Sequence, residues 1–194
     1  MDRERDGQRL TGEEKHEWLD AYDWVQCVVS VVVIFILICT FVGHTVSVIG
    51  PSMEQTLTEG DRLIISRLFY TPKYGDIVVL RKDSFANYPI IKRVIATEGQ
   101  VVDIRFEDEY SNGVVYVDDV ALDEPYISEE IFSTSLQDFT RPVTVPEGCV
   151  FVMGDNRNRS TDSRDKDIGC IDTRYIIGKA WFRLTPFERF GSLY

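Results

Sequence analysis

"WVQCVVSVVVIFILICTFVGHTVSVIGPSM", Trp24 to Met53, divides this 194-residue chain into two unlike parts. The stretch contains no Asp, Glu, Lys or Arg. Apolar residues fall at every angle around a helix built on Val25 to Ile49, so no single stripe is available to face a protein core. At roughly 1.5 Å per residue that helix is about 37 Å long, enough to cross a hydrocarbon layer about 30 Å thick with some tilt. A single transmembrane helix is therefore predicted over 25–49. A cleaved secretory signal has a shorter apolar region, about 7–15 residues, behind a short positive segment. Here the first 24 residues carry eight acidic and four basic side chains, which favours an uncleaved anchor. Arg3, Arg5, Arg9 and Lys15 precede the run, and Arg62 is the first basic residue after it. That bias leans toward a cytoplasmic tail over 1–24 and an extracytoplasmic remainder.

Beyond Gly50 the pattern changes to short apolar segments separated by Gly, Pro, Asn and Asp. "DRLIISRLFY", "GDIVVLR", "YPIIKRVIAT", "QVVDIRFED", "VVYVDD", "CVFVMGD", "GCID" and "YIIGKAWFRL" are rich in Val, Ile, Phe and Tyr and read as strands. "YSNGVVYV" carries an Asn-Gly hairpin signal. The expected fold is mostly β: one N-terminal transmembrane helix, then an antiparallel β-sheet domain. Residues 101–144 are acidic and separate two apolar flanks. They are expected to form an inserted β subdomain on a core made from 50–100 and 145–194.

The net charge of −11 argues against a nucleic-acid partner, which would favour a basic stripe. Cys27 and Cys39 lie in the apolar run. Cys149 and Cys170 fall in strand-like segments, and their spacing alone does not assign a disulfide. No Cys-His cluster has zinc spacing, and no metal or cofactor is expected.

Ser52, in "GPSMEQTL", is a nucleophile candidate only if a base can take its proton. Histidine is the usual partner, but the two histidines are His16 and His44, and none lies between Gly50 and Tyr194. A Ser-His-Asp triad in the outer domain is therefore excluded. A lysine base must be neutral, and burial against apolar surface lowers its pKa toward that state. Period-two alternation puts Lys92 on a strand face with Ile90, Val94 and Ala96, and Lys179 on one with Ile177 and Trp181. Lys73, Lys82 and Lys166 sit beside turn residues or charges. The residues themselves leave Lys92 and Lys179 both open.

A third constellation, "MGDNRNRSTDSRDKDIG" from Met153, packs Asp155, Asn156, Ser160, Asp162, Ser163 and Arg164 after a strand. It fails the calcium-loop pattern, because Thr161 stands at the required glycine and arginines intervene. Asp162 and Arg164, two apart on an extended segment, face the same way and suit an ion pair that braces the loop.

Together these residues resemble the bacterial type I signal peptidases, Gram-positive members above all. "PSMEQTL" looks like the family's nucleophile box and "GDRLIISR" its second. "GDIVVLR" with "YPIIKRVIATEGQVVDI" resembles the box that carries a lysine base. "MGDNRNRSTDSR" is similar to the Gly-Asp-Asn…Ser-x-Asp-Ser-Arg box, and "IIGKAWFRLTPFERFG" fits the closing strand. The resemblance implies a membrane-anchored serine endopeptidase with a Ser-Lys dyad, which removes signal peptides from preproteins after small residues of the Ala-x-Ala type. It implies Ser52 as nucleophile and Lys92 as base, with Ser160 bonding the lysine amine and Asp155, Asp162 and Arg164 bracing the site. The Ser52 backbone N–H, with Gly50 and Met53 beside it, would serve the oxyanion hole and substrate. Preproteins, the lipid bilayer and a nearby secretion translocon are the implied partners. Gln55 replaces the family's usual proline, Gly50 the second serine of some relatives, and "ATEGQ" a Gly-x-Pro-Gly-Asp turn. The alternatives are a Ser-Lys peptidase dedicated to a few surface or spore clients, and an inactive anchored β binding module.

Overall fold

The computed structural model describes residues 12–41, 44–81, 88–106, 112–135, 139 and 141–194. The chain divides into two units, residues 1–41 and 42–194. The first contains helix α1, Gly12–Phe41, whose described side chains, 22–37, are all exposed. Among the described residues no helix is long and apolar enough to cross a membrane.

The helix ends at Phe41, not at Ile49 as predicted, because the following residues are claimed by a sheet. Strand β1, His44–Ser47, pairs antiparallel with β2, Arg62–Ser66, and Val46 and Val48 pack into an apolar cluster with Leu63 and Ile65. The β-branched residues of "HTVSV" suit a pleated surface as well as they suit an apolar helix. Sequence pattern could not separate the two.

All described strand pairs are antiparallel. β1 and β2 join β3 (Ile77–Leu80), β4 (Ile90–Thr97), β9 (Cys149–Met153), β10 (Ile171–Asp172) and β11 (Ile176–Thr185) in one sheet of order β1-β2-β11-β3-β4-β9-β10. β12 (Gly191–Ser192) pairs with β11. A second sheet, β7-β6-β5-β8, is formed by β5 (Val101–Arg105), β6 (Val114–Val117), β7 (Val120–Ala121) and β8 (Val143–Thr144). Each of the eight predicted segments holds a strand. The two-residue strands β7, β8 and β12 were too short to carry a periodic signal.

Alternation sorts the cores. Val78, Leu80, Val94, Val150 and Val152 face one side of the large sheet. On the other side, Ile77, Val79 and Ile91 join Leu63 and Leu57, while Ile95, Phe151 and Met153 meet Val102, Val115 and Val117 of the second sheet. Strand β4 pairs on both edges, with β3 and β9, and six of its eight residues are buried. A polar side chain placed in mid-strand there, such as Lys92 or Arg93, is enclosed by the sheet. A bulge between Val94 and Ala96 turns Ala96 to the opposite core, so Ala96 leaves the face assigned to it by simple alternation.

The β4–β5 turn explains the unusual "ATEGQ". Gly99 has φ +80, a region that favours glycine, and the Gln100 side chain accepts from the Thr97 N–H at 2.9 Å. The β5–β6 hairpin forms, but its strands pair only as far as Arg105 and Val114. Gly113 instead bridges Ile131, so Asn112-Gly113 is not the centre of a two-residue turn.

Gly178 of β11 lies against the Ser66 backbone, where an added Cβ would come within 3.0 Å of the carbonyl. Backbone in a paired strand gives way poorly. Gly178→Ala is expected to lower stability by about 1–3 kcal/mol, read as the urea midpoint of the outer domain's tryptophan fluorescence.

Candidate active site

Ser52 stands at the head of a tight turn. The Glu54 N–H donates to Pro51 O, and the N–H groups of Thr56 and Leu57 both donate to Met53 O. Met53 and Leu57 are fully buried and pin the turn from below. Gly50, φ +82, lets the chain swing into it. Gln55 has φ +87, which a proline ring, locked near −65°, cannot adopt. The turn after Ser52 therefore takes a conformation here that its usual proline would forbid.

From the middle of β4, Lys92 reaches Ser52: Nζ donates to Oγ at 2.8 Å. Lys92 is 3% exposed. Burial pushes its amine down from 10.5 to about 8, with Arg164 adding to the shift while Asp162 and Asp155 oppose it. Once the amine is neutral, the same short contact runs the other way, with the serine hydroxyl donating.

Lys179, the other lysine on an apolar face, has a different environment. Its Nζ sits 2.6 Å from Asp76 Oδ1 and over the rings of Tyr194 and Trp181, at 4.1 and 4.5 Å. Its amine is thus engaged by a carboxylate and two rings rather than by Ser52. Of these two lysines, Lys92 is the one that meets Ser52, while Lys179 meets Asp76.

The loop after β9 closes the site. The Asn156 N–H donates to Ser52 O at 3.1 Å. Gly154 is required by crowding, since a Cβ there would lie 2.4 Å from Ser52 O and 2.3 Å from Ser160 Oγ. Asp162 and Arg164 form a fully buried two-point pair, Nε–Oδ1 2.8 Å and Nη2–Oδ2 2.9 Å. Burial works to raise the Asp162 carboxyl. Arg164, the Gly154 N–H and the Ser160 hydroxyl together hold it below the ordinary carboxylate range.

Asp155 is also buried, but its partner was not singled out in the sequence. Arg93, next to Lys92 and on the opposite face of β4, donates to it twice, at 2.8 and 2.6 Å, and Thr56 Oγ1 donates at 2.5 Å. The signal for Arg93 was present: an arginine inside an apolar strand needs a buried carboxylate. Arg157, Glu124 and Tyr126, likewise missed, lie on the far side of the same loop.

Ile49, Gly50, Pro51, Ser52, Tyr88, Pro89, Ile90, Ile91, Lys92, Arg159 and Thr161 line a cavity of about 400 Å³ over the Ser52–Lys92 contact. Gly50 thus borders the opening, whereas the Met53 side chain is core. Cys149 and Cys170 are free.

Residues 21–185 match the family described as signal peptidase, peptidase S26. Similar proteins include a signal peptidase I of Bacillus licheniformis, 36% identical across 86% of this chain and 90% of its own length. A probable signal peptidase I-1 of Synechocystis is 38% identical, covering 83% and 81%. A solved signal peptidase I from Enterococcus faecalis is 27% identical at a TM-score of 0.42, covering 57% of this chain and 97% of that one.

The lowered amine has a stability consequence. Between about pH 8 and 10.5 the unfolded chain holds a proton that folded Lys92 has released, so this group adds stability as pH rises through that window. Below it, folding carries the cost of a buried cation. Lys92→Met should therefore melt above the parent protein at pH 7, with the difference shrinking from pH 8 to 10.5 in paired thermal scans.

Proposed function

Because this chain belongs to the signal peptidase family, peptidase S26, we propose that it is a membrane-anchored serine endopeptidase that uses a Ser52–Lys92 dyad to release signal peptides from preproteins. The observation that carries the reading is the 2.8 Å contact between a buried lysine amine and a serine hydroxyl; the sequence has no histidine beyond His44, which lies in β1 opposite Ile65.

The steps follow from that contact. Ser52 Oγ attacks the carbonyl carbon at the cut as Lys92 Nζ takes its proton. The carbonyl oxygen becomes an oxyanion, for which the Ser52 backbone N–H beside Gly50 is the assigned donor. The Lys92 ammonium then protonates the departing amine, leaving the signal peptide as an ester on Ser52. Water attacks that ester as Lys92 takes its proton, and Lys92 then passes that proton to the departing Ser52 Oγ, which restores the serine hydroxyl and the neutral amine. Asp155, Ser160, Asp162 and Arg164 act by holding the loop against the serine turn.

Substrates on this reading carry small residues, typically alanine, at the first and third positions before the cut. The anchor on this reading is the charge-free run that begins at Trp24 and continues past the described side chains, among which Val29, Ile34 and Phe35 are more than half exposed. In water that surface would be costly, at about 25 cal/mol per Å², whereas in lipid it is at home. The bilayer is thus a partner, the secretion translocon a neighbour, the 1–24 tail cytoplasmic and the peptidase domain outside. Within that domain 50–100 and 145–194 form the catalytic core, and 101–144 the added subdomain.

Detergent-solubilised full chain should cleave an Ala-x-Ala preprotein, and Ser52→Ala or Lys92→Ala should each reduce the rate by at least about 10³-fold. Because the working amine is neutral, kcat should climb about tenfold per pH unit below about 8 and level above it. A flat profile from pH 5 to 9, or cleavage surviving in Lys92→Ala, would overturn the dyad. A panel of unrelated preproteins separates general from dedicated processing.

A further inference from the structure

We infer that Glu124, together with Tyr126, is a positioning residue for the Ser52–Lys92 reaction, acting from the segment between β7 and β8 through Arg157. This rests on the function proposed above. The segment lies outside every motif that drew attention in the sequence.

Arg157 is 2% exposed, at the foot of the loop that carries Asp155, Ser160 and Asp162. Its guanidinium meets the Glu124 carboxylate in a two-point pair, Nη1–Oε2 2.6 Å and Nη2–Oε1 2.5 Å. The side chain also works inward, as Nε donates to Gly154 O at 3.1 Å. Gly154 is the residue wedged between Ser160 Oγ and Ser52 O, and its own N–H holds Asp162 at 3.0 Å. The Arg157 carbonyl accepts from Arg164 Nη2 at 2.7 Å. One arginine thus fixes both ends of the Asp162–Arg164 pair, and Glu124 fixes the arginine.

Tyr126 joins this brace to the strand that bears the lysine. Its hydroxyl donates to Glu124 Oε1 at 2.7 Å. Burial and the neighbouring carboxylate push that phenol well above its ordinary value, so it stays a donor. The Arg93 guanidinium lies 3.9 Å from the centre of the Tyr126 ring, and Arg157 lies 5.9 Å from it. Arg93 directly follows Lys92 and holds Asp155. Glu124 and Tyr126 therefore touch the supports on both sides of the dyad and neither reacting atom.

A brace of this kind has a particular effect. A buried two-point pair can usually be exchanged for apolar residues without loss of stability, whereas removing one partner leaves an unpaired charge. Stability and positioning can thus be separated. If Glu124 serves geometry, restoring stability will not restore the reaction. Loosening the loop admits water to Lys92, and burial is the chief cause that lowers its amine.

The test compares Glu124→Gln, Glu124→Asp and the double variant Glu124→Leu with Arg157→Met in the full chain. Three readouts are taken: thermal melting, the pH profile of kcat and KM on an Ala-x-Ala preprotein, and the pH dependence of Lys92 labelling by an amine-reactive reagent, read by mass spectrometry. The double variant should melt within a few degrees of the parent. Its kcat should still fall at least tenfold with KM nearly unchanged, and the limb of its profile and its Lys92 labelling should move toward 10.5. Glu124→Asp, which keeps the charge, should lie between Gln and the parent. If the double variant regains kcat and the parent's labelling curve along with its melting temperature, Glu124 is only structural and the inference fails. If the parent labels near pH 8 yet cleaves nothing, the proposed function fails, and the labelling shift still decides the brace. Should Glu124→Gln not fold, the double variant carries the decision.

Discussion

The site depends on one constraint: an amine must be buried without a carboxylate bonded to it. Lys92 meets this because it sits in mid-strand on β4, paired on both edges and packed on both faces. An exposed amine would be almost wholly protonated at neutral pH. An amine bonded to a buried carboxylate would be held charged even more firmly. The 2.8 Å bond to Ser52 gives the buried amine a neutral partner instead.

The surrounding charges make sense in that light. Each nearby buried carboxylate is already bonded to a cation other than Lys92. Arg93 takes Asp155, Arg164 takes Asp162, Arg157 takes Glu124 and Lys179 takes Asp76. Among the described residues Lys92 makes no ion pair. Asp162 and Asp155 act against Arg164 on the amine, and burial, the largest cause, decides the outcome. Four paired carboxylates thus build a rigid polar frame without neutralising the purpose of the desolvated amine. Buried pairs add little net stability, so the apolar clusters of the two sheets supply the stability that lets this frame exist.

Much of this was legible in the chain. Six strands of the large sheet, β2, β3, β4, β9, β10 and β11, announced themselves through Val, Ile and Phe between turn residues. The lack of any histidine after Gly50 pointed away from the commonest serine base and toward lysine, although folding draws His44 into β1 of the same domain. The Asp162–Arg164 pair followed from residue spacing. The end of the helix was not legible, because "HTVSV" suits a strand and an apolar helix alike. Arg93 was overlooked although its signal lay beside Lys92. Glu124 was beyond reach: it is one of many acidic residues in 101–144, and nothing local marks it as the one that meets Arg157.

Ser52, Lys92 and the loop residues were fixed by their types and order, since reactivity and strand propensity are local properties. Whether Lys92 or Lys179 meets the serine was decided only by folding. Both lie on apolar strand faces, and residue pattern alone does not distinguish them; only the family resemblance of the stretch around Lys92 singled it out. β3 separates β4 from β11, so one lysine is carried toward Ser52 and the other toward Asp76, Trp181 and Tyr194. Sheet order is set by long-range pairing and packing, and so which lysine meets Ser52 belongs to the tertiary structure.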